Sequence, residues 1–183
     1  MDNLEINTSL ARSILTGFIR SETQRAGFNK VVLGLSGGID SALSCYLSAK
    51  ALGGENVLAV RMPYKTSSQE SLDHAQLVID AACVQSLTIP VTDMADGLIS
   101  RWSDISSLRK GNIMARCRMI VLFDQSVVFN GLVVGTGNKT EILLGYTTLF
   151  GDSACAFNPL GDLYKTQVRQ LARDMGIPEV IIG

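Results

Sequence analysis

The sequence predicts an α/β protein: a doubly wound parallel sheet with helices on both faces, in three α/β/α layers. Two observations carry that expectation. The strand candidates are short continuous Val/Leu runs, the pattern of strands buried on both faces, and they alternate with segments of helical period. No internal repeat, low-complexity tract or linker interrupts the alternation, so the 183 residues, 1–183, read as a single domain. In such a sheet the crossovers are right-handed and ligands bind beyond the carboxyl ends of the strands.

The elements follow in order. Leu4, Ile6, Leu10, Ile14, Leu15 and Phe18 recur at helical spacing, which predicts an amphipathic helix over Asn3–Arg25, stopped by Gly27. "KVVLGL" from Lys30 reads as a buried strand, and Ser41–Leu52 as a helix closed by Gly53-Gly54. "NVLAVRMP" from Asn56 is a second strand ended by Pro63. Gln69–Gln85 is helical in pattern, "SLTIPV" from Ser86 a third strand, and Met94–Leu108 a mixture of helix and loop. Gly111–Phe129 is a long helix, "GLVVGT" from Gly131 a fourth strand, and Tyr164–Met175 a last helix capped by Gly176 with Pro178 beyond. The chain stops at "VIIG", which looks like an interrupted strand or loop, so the expectation is a chain truncated or incompletely ordered at its C-terminus.

Composition narrows the function. A net charge of −1 offers no general attraction for nucleic acid or an anionic membrane. Cys45, Cys83, Cys117 and Cys155 form no C-x-x-C pair and no zinc spacing, as expected of reduced core residues in a cytoplasmic protein. The first 20 residues carry polar groups throughout, unlike a signal peptide, and the apolar runs are too short for a bilayer span. His74, the one histidine, falls on a polar helix face.

The chemistry starts at "LGLSGGIDS". Strand, glycine-rich turn and helix N-terminus together make an anion site of backbone N–H groups and helix dipole. Gly37 and Gly38 permit close backbone approach, while Ser36 and Ser41 add hydroxyl donors. A carboxylate such as Asp40 would repel a phosphate unless a divalent cation sat between them, which points to a Mg²⁺-polyphosphate. Neither G-x-x-x-x-G-K-[ST] nor G-x-G-x-x-G is matched; "GTGNKT" at Gly135 shares only the first two glycines of the latter. An ordinary capped strand-to-helix turn is the competing reading of the same residues.

"SGGIDS" resembles the pyrophosphatase loop of the N-type ATP pyrophosphatases, a Rossmann-like group that adenylates a carboxylate or carbonyl-like oxygen and releases pyrophosphate. "LRKGNIMARCRM" (Leu108–Met119), "VVGTGNKTEILLGYTTLFGDSACAFNPLGDLYKTQVRQLA" (Val133–Ala172) and "AVRMP" (Ala59–Pro63) narrow the resemblance to the ammonia-dependent NAD synthetases, over nearly the whole chain from about Leu4. The resemblance implies ATP contacts at Gly34, Leu35, Ser36, Gly37, Gly38, Ile39, Asp40, Ser41, Arg61, Thr136 and Lys165. It implies Mg²⁺ ligands at Asp40 and Glu141, and Arg116 as a contact for nicotinic acid adenine dinucleotide. Asp40, Lys165 and Asp152 are the expected catalytic set, Asp152 as a further metal ligand or active-site acid. Arg118 shares the helix of Arg116 but reads as a solvated charge, the apolar positions Ile113, Cys117, Ile120 and Val121 pointing elsewhere. Some members carry Lys and Asp where this chain has Leu149 and Ala156, so substrate contacts at those places do not carry over.

The implied reaction forms an acyl adenylate on the nicotinate carboxylate with release of pyrophosphate; ammonia then attacks, giving NAD and AMP. Mg²⁺ and ATP are the expected cofactor and co-substrate, and a homodimer the expected assembly, through the N-terminal or the long helix. With no amidotransferase domain, free ammonia or a separate glutaminase is the expected nitrogen source. Two alternatives stand beside this reading: another N-type ATP pyrophosphatase such as a GMP synthetase-like amidating enzyme, and a nucleotide-binding or dimerising fragment without turnover.

Overall fold

The computed structural model describes residues 4–183. Four parallel strands, β1 (Val31–Gly34), β2 (Val57–Arg61), β3 (Gln85–Thr88) and β4 (Leu132–Val133), form one sheet in the order β3-β2-β1-β4. The chain moves from β1 outward to β3, then returns to the other side of β1. The strand order therefore reverses between β1 and β4, where a doubly wound sheet opens a crevice for ligand.

Side chains alternate across the pleat. Val31 and Leu33 of β1 enter one core with α1 (Thr8–Arg25), α2 (Ile39–Leu52), α3 (Gln69–Ala82), α7 (Lys165–Asp174) and α8 (Glu179–Ile182). Val32 enters a second core with α4 (Thr92–Ile99) and α5 (Ser107–Phe129). These are the three predicted layers. Leu33 is wholly buried, and its truncation to Ala should cost about 2–5 kcal/mol through lost burial and the cavity left behind. The middle of α2 is apolar or small on every side and is enclosed between the sheet and its neighbouring helices, so propensity and packing agree there.

Several boundaries differ from expectation for identifiable reasons. Asn7 caps α1, its side chain accepting from Leu10 N at 2.9 Å, so the helix starts at Thr8. Leu4 and Ile6 are a non-helical lead held by α7: Ile6 N donates to Gln170 Oε1, and Gln170 Nε2 donates to Leu4 O. Asn3, the predicted start, lies outside the described residues. The helix after the glycine turn begins at Ile39 rather than Ser41. α3 stops at Ala82 because Cys83 takes a left-handed conformation (φ 51°), and Gln85 already belongs to β3. β3 is not buried on both faces; it is a solvent-exposed edge strand. Met94–Leu108 resolves into the end of α4, a loop and the start of α5, which is capped by Ser106. β4 is only two residues long, extended by a parallel bridge from Val134 to Phe157. "VIIG" is no strand or loop: Pro178 opens α8, which buries Ile181 and Ile182 against the first core. The predicted last helix, Tyr164–Met175, is therefore followed by another.

Candidate functional site

The turn after β1 ties itself together with its own hydroxyls. Ser41 Oγ donates to Gly38 O at 2.9 Å, Ser36 N donates to Ser41 Oγ at 3.3 Å, and Gly38 N donates to Ser36 Oγ at 3.3 Å. Gly37 has φ +84°, and a Cβ there would collide with the Ser71 carbonyl and lie 3.2 Å from His74 Cβ. Gly38 occupies the cap position of α2 without a side-chain cap. The first-turn N–H groups of α2 are thus left for an anion, at the positive end of the helix dipole. His74 packs against this turn instead of standing free on a polar face; only 16% of its side chain is exposed.

Two adjoining cavities flank the turn, sharing Ser36, Ser41, Gly135, Thr136 and Asp152 in their walls. The first, about 460 Å³, is lined by apolar Met62, Leu72, Met119 and Leu122 and by two arginines, Arg61 and Arg118. Arg61 donates from Nη1 to Gln76 Oε1 at 2.7 Å, while Gln76 Nε2 donates to Asp80 Oδ1 at 2.8 Å. Arg61 Nε is buried with no partner among the described residues, a donor left for a ligand acceptor. Arg118 donates from Nε to Met62 O at 3.1 Å. Burial pushes its guanidinium pKa down, with Cys117 and Asp152 opposing, yet an arginine stays charged. An apolar slot with two cations suits a nucleoside whose phosphates leave through the glycine turn.

The second cavity, about 320 Å³, collects carboxylates: Asp40 from α2, Glu141 from α6 (Lys139–Leu144) and Asp152. Asp40 Oδ2 pairs with Lys165 Nζ, and Asp40 Oδ1 accepts from Asn138 Nδ2 at 2.9 Å. Asn138 also caps α6, accepting from Glu141 N at 3.1 Å, while its own backbone N donates to Glu141 Oε2 at 3.1 Å. Lys165 N donates to Thr140 Oγ1 at 3.1 Å, which fixes the first turn of α7 beside α6. Among the described residues no three His, Cys, Asp or Glu side chains come close enough to hold a metal by themselves. Two oxygen donors on one wall nonetheless fit Mg²⁺, which is ordinarily held by one or two carboxylates together with substrate phosphates.

The tertiary structure thus brings Gly34, Leu35, Ser36, Gly38, Asp40, Ser41, Arg61, Thr136, Glu141 and Asp152 to one crevice at the β1/β4 switch point, with Lys165 reaching it through its pair with Asp40; Gly37 and Ile39 line neither cavity, and Ile39 packs into the first core. Arg116 stands apart. It is exposed, lines neither cavity, and donates from Nε and Nη2 to Leu149 O at 3.3 and 3.2 Å. Arg118, expected to be solvated, lines the first cavity instead; Cys117 and Val121 are buried, whereas Ile120 is 53% exposed. Asp152 Oδ1 is engaged by its own turn, accepting from Thr148 N at 2.6 Å and Thr147 Oγ1 at 3.1 Å. Asn138, Arg118 and Gln76 are the residues that sequence reasoning missed. For Asn138 a signal existed, because N-K-T-E is a capping box. For Gln76 none did.

The chain that builds this crevice has counterparts among known proteins. The model of the family described as NAD synthase matches residues 12–183. The chain belongs to that family. An NH(3)-dependent NAD(+) synthetase of Trichlorobacter lovleyi is 55% identical over 182 residues, all of this chain and 67% of that protein. The solved NH3-dependent NAD synthetase of Campylobacter jejuni, in complex with nitrate, superposes with a TM-score of 0.92 at 38% identity, over 97% of this chain and 77% of that one. A glutamine-dependent NAD+ synthetase of Acinetobacter baumannii in complex with ADP gives 0.92 at 34% identity, over 97% of this chain and 36% of that one. The chain spans about two thirds of the length of the curated relatives it matches, 67% and 65% for two of them. Membership in the NAD synthase family also accounts for the fold, a parallel sheet layered between helices.

Proposed function

We propose that the chain carries the ATP-dependent amidation of nicotinic acid adenine dinucleotide by ammonia through an acyl adenylate, yielding NAD, AMP and pyrophosphate. The convergence of the Gly34–Ser41 turn, Asp40, Glu141 and Lys165 on one crevice carries the reading. The names of relatives matching the whole chain favour ammonia over glutamine as the nitrogen source. A separate glutaminase is then the natural supplier of ammonia.

The chain's own groups divide the work by position. Arg61 and Arg118 hold the nucleoside end of ATP in the first cavity, and Thr136 lies where the two cavities meet. The N–H groups of the glycine turn and of the first turn of α2 grip the β and γ phosphates, so the α-phosphorus is presented to the nicotinate carboxylate. Its attack breaks the α–β bridge and leaves the bound part as pyrophosphate. Asp40 and Glu141 would hold Mg²⁺, which when bound supplies charge neutralisation across the phosphates. Lys165, at the same wall, offers a cation to the charge that builds on the α-phosphoryl oxygens. Ammonia then adds to the acyl carbon, AMP departs and one proton is released. Asp152 lines both cavities and keeps one carboxylate oxygen outside its turn's hydrogen bonds, which suits it to an acidic role there. Arg116, exposed beside Leu149, suits the second nucleotide.

We place the enzyme in the cytoplasm as a homodimer. Among the described residues no helix is long and apolar enough to cross a membrane, and α5 exposes Ile120, Phe123, Val127 and Val128 along its outer side.

The deciding experiment follows NAD formation from nicotinic acid adenine dinucleotide, ATP and ammonium, with wild type and Asp40→Ala. Product with the former and none with the latter is expected. Calorimetry that finds ATP bound but no AMP formed would support a binding fragment instead. Pyrophosphate release only with the acceptor of a GMP synthetase would reassign the substrate.

A further inference from the structure

We infer that Asn138 is a positioning residue that sets the spacing and direction of the Asp40 and Glu141 carboxylates. Its side chain is fully buried, and a buried amide is costly unless its groups are paired. They are paired across 98 residues of sequence: Nδ2 donates to Asp40 Oδ1 at 2.9 Å, while Oδ1 accepts from Glu141 N at 3.1 Å. The Asn138 backbone N closes the arrangement on Glu141 Oε2 at 3.1 Å. One residue therefore touches two of the three carboxylates of the second cavity, Asp40 and Glu141.

Capping alone does not explain an asparagine here. Ser, Thr and Asp cap helices about as well, because a cap needs only an acceptor oxygen. What Asn adds is a donor on the same planar group, and that donor is spent on Asp40. An Asp at this place would set one carboxylate against another, and a Ser hydroxyl is too short to replace the amide. The arrangement leaves Asp40 Oδ2 and Glu141 Oε1 unclaimed by Asn138. Asn138 thus acts through the two carboxylates rather than on the reacting atoms. Groups that orient metal ligands in this way typically change metal affinity 10- to 100-fold when removed. The Mg²⁺ part of the inference rests on the proposed function.

The test compares Asn138→Ser, which preserves a cap, with Asn138→Ala, which does not. Melting temperature reports the cap, and the Mg²⁺ concentration that half-saturates ATP binding, by calorimetry, reports carboxylate placement. The serine variant should melt close to wild type and the alanine variant lower. Both should need at least roughly tenfold more Mg²⁺, with kcat reduced and KM for ammonium unchanged. If serine restores Mg²⁺ dependence as well as stability, Asn138 is only a cap and the inference fails. A ligand-free crystal structure of the serine variant judges the placement without any ligand: a turned Asp40 carboxylate supports it, and an unmoved one overturns it. Should wild type bind no Mg²⁺-ATP, the proposed function falls while that crystallographic result still decides Asn138. If the serine variant melts too low to study, Asn138→Thr keeps the cap, fills more of the buried volume and offers the same readouts.

Discussion

Asp40 and Lys165, 125 residues apart in sequence, form an ion pair between the first turns of two different helices, α2 and α7. The ammonium occupies Asp40 Oδ2, while Asn138 occupies Oδ1. With Asp40 as a Mg²⁺ ligand, as proposed, Lys165 and the cation would compete for one carboxylate. Lys165→Met should let Mn²⁺ alone, followed by its paramagnetic signal, bind severalfold more tightly, while NAD formation collapses. The partly exposed pair is worth no more than about 1 kcal/mol, so the melting temperature should move little. Weaker Mn²⁺ binding in the variant would contradict the competition.

The glycine turn tolerates no side chain at Gly37. Its φ of +84° is strained for any L-residue, and a Cβ would strike the Ser71 carbonyl at the start of α3. Gly37→Ala should lose about 1–3 kcal/mol of stability, read by urea denaturation, and abolish ATP binding by calorimetry. Gly97→Ala, inside α4 and with nothing within 4 Å of its Cβ, is the control; it should leave ATP binding unchanged and gain about 0.5–1 kcal/mol of stability.

Arg118 and Arg116 should separate by substrate. Arg118→Met removes a cation from the first cavity, proposed to hold the nucleoside of ATP, and should raise KM for ATP by roughly tenfold, about 1.4 kcal/mol, without moving KM for the dinucleotide. Arg116→Ala should do the reverse. Steady-state kinetics with each substrate varied in turn would expose an exchange of these roles.

Cys45, buried inside α2, has its thiol pKa pushed from 9.0 up to about 12 by burial. The folded state keeps this proton where the unfolded chain gives it up. The resulting stability is complete below pH 9 and is lost as the pH rises toward about 12. Cys45→Ala opens a small cavity and should melt below wild type at neutral pH. That gap should close by about pH 11, because the variant has no thiol to ionise. Melting curves that stay parallel through this range would count against it.

The outer side of α5 should carry subunit contacts. Phe123→Asp combined with Val127→Asp places charges on residues 42% and 81% exposed in the single chain. The double variant should sediment as a folded monomer while wild type sediments as a dimer. A dimer in both would move the interface elsewhere, α1 being the next candidate through exposed Leu10 and Ile14.

Much of this was legible along the chain. Val31–Gly34 and Val57–Arg61 are strands because their unbroken apolar runs can be satisfied only with cover on both faces, and both cores exist. The glycine turn between β1 and α2 is visible in the residue types alone, and so is the carboxylate of Asp40 beside it. β3 departs from the expected burial because hydropathy does not tell an edge strand from a central one. "VIIG" departs from expectation because a short apolar run has no period of its own, and packing on α7 and α2 makes it the helix α8.

By itself the sequence determined the alternation of strand and helix, the glycine turn between β1 and α2 and the residue types gathered around it, since these depend on neighbours a few positions away. Only the tertiary structure decided which of two arginines lines the first cavity. At 3.6 residues per turn, positions 116 and 118 point about 200° apart, and the packing of α5 on the sheet chooses between them. It also decided that Asn138 is the hinge between Asp40 and Glu141 and that Lys165 answers Asp40. Those meetings depend on where α2, α6 and α7 begin relative to β1 and β4, a relation set by the two buried cores.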